Sequence, residues 1–206
     1  MSDAPLRYLA LGDSYTIGTG ASNPERSWPA IIAGRLKTEA GRDVQLTNPA
    51  VSGYTTLDVI DKQLHLIKQV KPDVVTVLVG VNDLVTNRGA DDYRSSLLKI
   101  YNEIASLELQ AGRAVAISIP NWSVVPAALE YGEAPLIRAT TNSFNAVARG
   151  EAEERGFTWV DITVVSTSGL GSKGWIASDN LHPGDSQYAA WADVIWAAVR
   201  DSWVRP

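Results

Sequence analysis

Short apolar runs rich in β-branched residues alternate with stretches of helical spacing along this chain. Residues 6–11 are apolar and lead into Gly12-Asp13-Ser14. Residues 28–39 follow with helical spacing, and residues 43–47 read as a short second strand. Leu57, Ile60, Leu64 and Ile67 are spaced 3, 4 and 3, which predicts one apolar face of one helix. Residues 74–79 (Val-Val-Thr-Val-Leu-Val) are apolar and β-branched, as expected of a central parallel strand buried on both faces. Helical spacing returns over 93–109, through Leu97, Ile100, Ile104 and Leu107. A fourth strand over 114–119 ends at Pro120, a long helix covers 135–155, and a fifth strand covers 157–160. Tyr188, Trp191, Ala192, Ile195 and Val199 predict a final amphipathic helix.

Alternating strands and helices imply a parallel sheet with helices on both faces. Right-handed crossovers leave few topologies. The expectation is a flavodoxin-like three-layer α/β/α sandwich, with a five-stranded parallel sheet in the order 2-1-3-4-5. Residues 1–206 carry no repeat or linker and read as one domain. Two loops, 121–133 and 162–181, follow the fourth and fifth strands, at the carboxyl edge where open α/β sheets bind ligands.

Composition narrows the chemistry. There are no cysteines, which excludes a disulfide scaffold and a thiolate metal site. Two histidines, His65 and His182, argue against a multi-histidine metal site. A net charge of -5 argues for solubility and against a nucleic-acid partner. The strongest apolar run, near 74–81, is far shorter than the roughly 18 residues a membrane span needs, so no stable membrane insertion is expected. The amino terminus lacks a basic segment followed by an apolar one, so the chain reads as cytoplasmic; one whose signal had been removed would read the same.

Four segments each stand just past a predicted strand: Gly12-Asp13-Ser14-Tyr15, Ala50-Val51-Ser52-Gly53, Gly80-Val81-Asn82-Asp83 and Asp179-Asn180-Leu181-His182-Pro183. In a parallel sheet all four emerge on one edge. A serine hydroxyl needs a base to become a nucleophile, and His182 is the candidate. Asp179, three residues earlier, is placed to hold the imidazole tautomer. Asp161 and Asp185 compete for that role, although Asp185 is better explained as a first-turn acid of the last helix. An anionic tetrahedral intermediate needs hydrogen-bond donors aimed at its oxygen. The N–H of Gly53, which lacks a Cβ and so allows close approach, the side-chain amide of Asn82 and the N–H of Ser14 are the candidates. Taken singly, each residue has a blander reading: Ser14 a helix cap, Gly53 a turn glycine, Asn82 and Asp83 loop or cap residues, His182 a surface histidine. Their joint placement favours a hydrolase site. His65 lies off the apolar face beside Lys62 and Lys68 and reads as solvated. Asp13 reads as a brace for the nucleophile turn. Trp122 and Tyr131 are candidates for a substrate wall.

Ser14, Gly53, Asn82 and His182, in this order, resemble the four name-giving residues of the SGNH hydrolases, also called GDSL-type esterases and lipases. The resemblance runs from Leu9 to the closing helix. It implies the flavodoxin-like fold, hydrolysis of esters or thioesters, and no metal or organic cofactor. The chain departs from the pattern at Tyr15, where the family usually has Leu; Tyr15 therefore joins Trp122 and Tyr131 as a pocket candidate. The expected function is a serine esterase acting on small to medium carboxylic esters through acyl-Ser14. The triad would be Ser14, His182 and Asp179, with an oxyanion hole of Ser14, Gly53 and Asn82. The alternatives are an acyltransferase, thioesterase or lysophospholipase using the same site, or a non-catalytic ligand-binding relative.

Overall fold

A computed structural model of the protein describes residues 4–204. Five strands, β1 (Leu6–Gly12), β2 (Val44–Thr47), β3 (Val74–Leu78), β4 (Ala114–Ile117) and β5 (Thr158–Val160), form one sheet in the order β2-β1-β3-β4-β5. Every neighbouring pair is parallel, as the β-α alternation predicts. All five residues of β3 are buried, so its unbroken apolar run matches a strand covered on both faces.

Helices α1 (Ser14–Ile17), α2 (Trp28–Ala40), α3 (Thr56–Lys62), α4 (His65–Val70), α5 (Val81–Val85), α6 (Ala90–Ala105), α7 (Ala134–Glu154) and α8 (Asp185–Val204) complete the layers. α2 packs on α8, while α6 packs on both α3 and α7. Trp28, Trp191 and Trp203 are fully buried. The predicted face of α8 is confirmed, since Tyr188, Trp191, Ala192, Ile195 and Val199 are all buried. No helix among the described residues is long and apolar enough to cross a membrane.

The helix expected across residues 57–67 is two helices with a different buried face. α3 ends at Lys62 and α4 starts at His65. Thr56, Val59, Gln63 and Ile67 point inward, whereas Leu57 is 50% exposed and Ile60 and Leu64 are only partly buried. The reason is polar: the carboxamide of Gln63 is drawn into the sheet edge, as described below. α6 also stops short of the predicted end, at Ala105. His65 is exposed, as expected.

Candidate active site

β1 ends at Gly12, and the chain turns at once into α1, with Asp13 as its N-cap. Asp13 Oδ1 accepts from the N–H of Tyr15 at 3.0 Å, which is the brace expected of it. Ser14 opens the helix and is 5% exposed. Neither its N–H nor its Oγ has a hydrogen-bond partner among the described residues.

Gln63 holds this turn from the side. The last pairing of β2 with β1 is Thr47 with Leu9, so the end of β1 has no strand on that edge. Gln63 Nε2 donates to the carbonyl of Gly12 at 2.8 Å, and Gln63 Oε1 accepts from the N–H of Gly12 at 3.0 Å. One side chain thereby replaces the missing strand. Both Gly12 backbone groups would otherwise be buried unpaired, at a cost of about 1–3 kcal/mol each.

Asp13 is fully buried, and its Oδ2 has no hydrogen-bond partner among the described residues. Burial, with the nearby charge of Asp83 adding to it, outweighs the Tyr15 donor and pushes the Asp13 carboxyl up to about 7. The folded state therefore keeps this proton after the unfolded chain has lost it. Stability contributed in the protonated form is present below the unfolded value and is lost as pH rises toward the folded one. Asp13→Asn stays neutral at every pH. Thermal melts at about pH 5 and about pH 8 should show a larger drop in Tm for the wild type than for the variant. Equal drops would mean that Asp13 is ionised throughout.

The loops after β2 and β3 are sewn together. Asn82 Nδ2 donates to the carbonyl of Tyr54 at 2.9 Å, an acceptor that also settles which way the amide points. The second N–H of that amide has no partner among the described residues. Asp83 is fully buried and accepts from Thr56 N at 2.9 Å, Thr56 Oγ1 at 2.6 Å and Arg88 at 2.7 Å. Gly53 sits in the exposed turn next to Tyr54, and its N–H is also without a partner among the described residues. A Cβ at Gly53 would meet open space, so close approach is not what this position demands of the protein itself. Its φ of 85° is the requirement that only glycine meets cheaply.

The histidine loop is built around Asp179. Oδ1 accepts from the N–H groups of Leu181 and His182, both at 2.9 Å, and Oδ2 meets His182 Nδ1 at 2.7 Å. Partial burial alone would raise the Asp179 carboxyl; these donors outweigh it and hold it below the ordinary carboxylate range. An ionised Asp179 requires the proton on Nδ1, which leaves Nε2 as the acceptor. The competing acids are engaged elsewhere. Asp161 accepts from Thr163 at 2.8 and 2.6 Å, and Asp185 from Ser22 at 2.8 and 2.7 Å.

Ser14, Asn82 and His182 line one small pocket together with Tyr15, Trp122 and Tyr131. Six of the sequence-derived candidates thus meet in one place. Asp179 stands behind His182, and Gly53 is not among the residues that line this pocket. No direct hydrogen bond joins Ser14 to His182 among the described residues. No group of three or more acidic or histidine side chains suited to a metal ion occurs among the described residues.

Residues 10–190 match the GDSL-like Lipase/Acylhydrolase family. The chain belongs to that family. An arylesterase of Vibrio mimicus is 37% identical over 83 residues, covering 40% of this chain and 40% of that protein. A GDSL-like esterase of Mycobacterium tuberculosis is 23% identical over 210 residues, covering 96% of this chain and 62% of that protein. The chain spans less than two thirds of the length of these relatives. Among solved structures, the acetylxylan esterase Axe2 of Geobacillus stearothermophilus matches with a TM-score of 0.74 at 21% identity, over 100% of this chain and 99% of its own. At that identity the likeness is one of fold.

Within the GDSL-like pattern, Tyr15 takes the place of the usual Leu. Its ring stands edge-on to His182 at 6.1 Å and to Trp191 at 5.7 Å, so the larger side chain fills the space between the histidine loop and α8. Gly20, at φ 93°, lets the segment after α1 lie against the same loop, because a Cβ there would strike Pro183 and Ala177. Sequence reasoning missed Gln63, Tyr54 and Arg88. Gln63 carried no signal, since a glutamine between two predicted helical apolar positions reads as solvated.

Proposed function

We propose that this protein is a serine esterase that hydrolyses carboxylic esters through an acyl-Ser14 intermediate. The observation that carries the reading is the 2.7 Å contact of His182 Nδ1 with Asp179, with His182 and Ser14 lining the same pocket. It frees Nε2 to take a proton on the side of Ser14. As Ser14 Oγ attacks the ester carbonyl carbon, Nε2 accepts the hydroxyl proton and the carbonyl oxygen becomes an oxyanion. The N–H groups of Ser14 and Gly53 and the second N–H of Asn82 are its donors; all three lack partners among the described residues. The carbon–oxygen bond to the alcohol then breaks, and His182 returns the proton to the leaving oxygen. Water, deprotonated by His182, attacks the acyl-enzyme; acid departs and Ser14 regains its proton.

The test is hydrolysis of p-nitrophenyl esters by the purified protein before and after dialysis against a chelator, together with labelling by an organophosphonate. Turnover that survives the chelator and a phosphonyl adduct on the peptide containing Ser14 are the expected results. An adduct on another residue, or activity that returns only with added metal, would sink the reading.

A further inference from the structure

We propose that α3 is a strut that fixes the spacing of the two backbone donors of the oxyanion hole, and that Gln63, at its end, is a positioning residue acting on Ser14 through Gly12. This rests on the esterase reading. The two donors stand on different loops, the Ser14 N–H after β1 and the Gly53 N–H after β2. Strand pairing does not join those loops, because β2 stops pairing with β1 at Leu9. Thr19 and Ser52 meet across them at 2.6 Å, but they are an exposed hydroxyl pair whose bond water can replace. The buried connection is α3, seven residues and about 10 Å long. At its first residue, three after Gly53, Thr56 gives Asp83 its N–H at 2.9 Å and its hydroxyl at 2.6 Å. At the other end, Gln63 caps the helix and holds both backbone groups of Gly12, at 2.8 and 3.0 Å. The peptide whose carbonyl it holds is next to the one that carries the Ser14 N–H.

A helix kept for its burial presents an apolar stripe to the core. Over residues 56–63 the inward positions Thr56 and Gln63 are polar and fully buried, Val59 is the one buried apolar side chain, and Leu57 is left half exposed. A helix this short is not stable by itself. Thr55 and Asp58 form a capping box at its start, and Lys62 pairs with Asp58 at 2.6 Å, so it stays in one piece between its two anchors. Gly12 has nowhere else to yield. On its opposite side it pairs with Leu78 of β3, and a Cβ there would strike the Leu78 carbonyl and Thr16. Movement toward α3 is what the Gln63 carboxamide blocks. An oxyanion donor works only at about 2.7–3.1 Å from the developing charge. A change in the distance between the two loops is therefore felt in the transition state and not in substrate binding.

Three variants test this, each assayed on one p-nitrophenyl ester at a temperature where melts show it folded. Gln63→Met keeps the length of the side chain and loses both bonds to Gly12. Its kcat should fall by about 10- to 100-fold, with KM within about twofold of the wild type. Thr56→Val releases the other end of α3 by one hydroxyl, keeps the shape, and should lower kcat by about three- to tenfold. Ile104→Ala, buried at the end of α6 beside the start of β4, should lose Tm and keep its kcat. The phosphonate adduct gives a reading free of turnover, since its phosphoryl oxygen takes the place of the oxyanion. The phosphorus NMR resonance of the Gln63→Met adduct should lie between those of the folded and the denatured wild-type adduct. Wild-type kcat in Gln63→Met or Thr56→Val, a loss no greater than that of Ile104→Ala, or an unmoved resonance would each overturn the inference and leave the esterase reading intact. No hydrolysis by the wild type, with no phosphonate adduct on Ser14, would overturn both.

Discussion

Ser14→Ala should lower kcat by about 10⁴ or more and leave the fold as stable as before. The two halves of that expectation come from the same observation. Ser14 Oγ has no hydrogen-bond partner among the described residues, so its removal orphans nothing. A side chain held for stability would be engaged, as those of Thr16 and Ser27 are. His182→Ala should cost about as much in kcat, again with a small change in Tm. The carboxylate it leaves behind is 43% exposed and keeps two backbone donors. The double variant should be scarcely worse than either single one, because nucleophile and base act as a unit. Steady-state kinetics and thermal melts of the three variants check this. Additive losses, or melts that fall in step with activity, would show that the two side chains act separately or serve the fold.

The strands and the four loops were legible because they depend on patterns the chain cannot hide. A strand buried on both faces must be apolar throughout, and the loops that follow parallel strands must share one edge. Asp179 was readable because three residues bring its carboxylate back to the histidine in a tight loop. What was not legible rests on buried polar groups. Gln63 lies between helices whose apolar residues suggest a face through Leu57 and Leu64, yet the inward face runs through Thr56, Val59 and Gln63. Two hydrogen bonds to Gly12 outweigh the exposure of one leucine, and periodicity counts only the leucine. The reason given for a glycine at position 53 was insufficient. Close approach needs no glycine at a position whose Cβ would meet nothing; the left-handed backbone does. Asp83 read only as a loop or cap residue; its burial against Thr56 and Arg88 depends on contacts that periodicity does not count.

Asn82→Ala should lower kcat by about 10²–10³, or roughly 2.7–4 kcal/mol, with little change in KM. An oxyanion exists only in the transition state and intermediate, so a donor aimed at it contributes nothing to substrate binding. The structure moves the expectation toward the upper end. One N–H of the Asn82 amide already holds the carbonyl of Tyr54, the residue after Gly53. Truncation therefore removes one donor and releases the loop that carries a second. Asn82→Asp should be at least as damaging. It keeps the size but sets a carboxylate oxygen against the Tyr54 carbonyl and a negative charge against the developing oxyanion. Phosphonate labelling of Ser14 should persist in both variants at a reduced rate, since Ser14, His182 and Asp179 are untouched. The measurement is kcat and KM of both variants on one ester, with melts to confirm folding. If Asn82 serves only to tie the loops, the loss will appear as a lower Tm, and kcat at a temperature where the protein is folded will match the wild type. In that case the N–H groups of Ser14 and Gly53 would be the whole oxyanion hole.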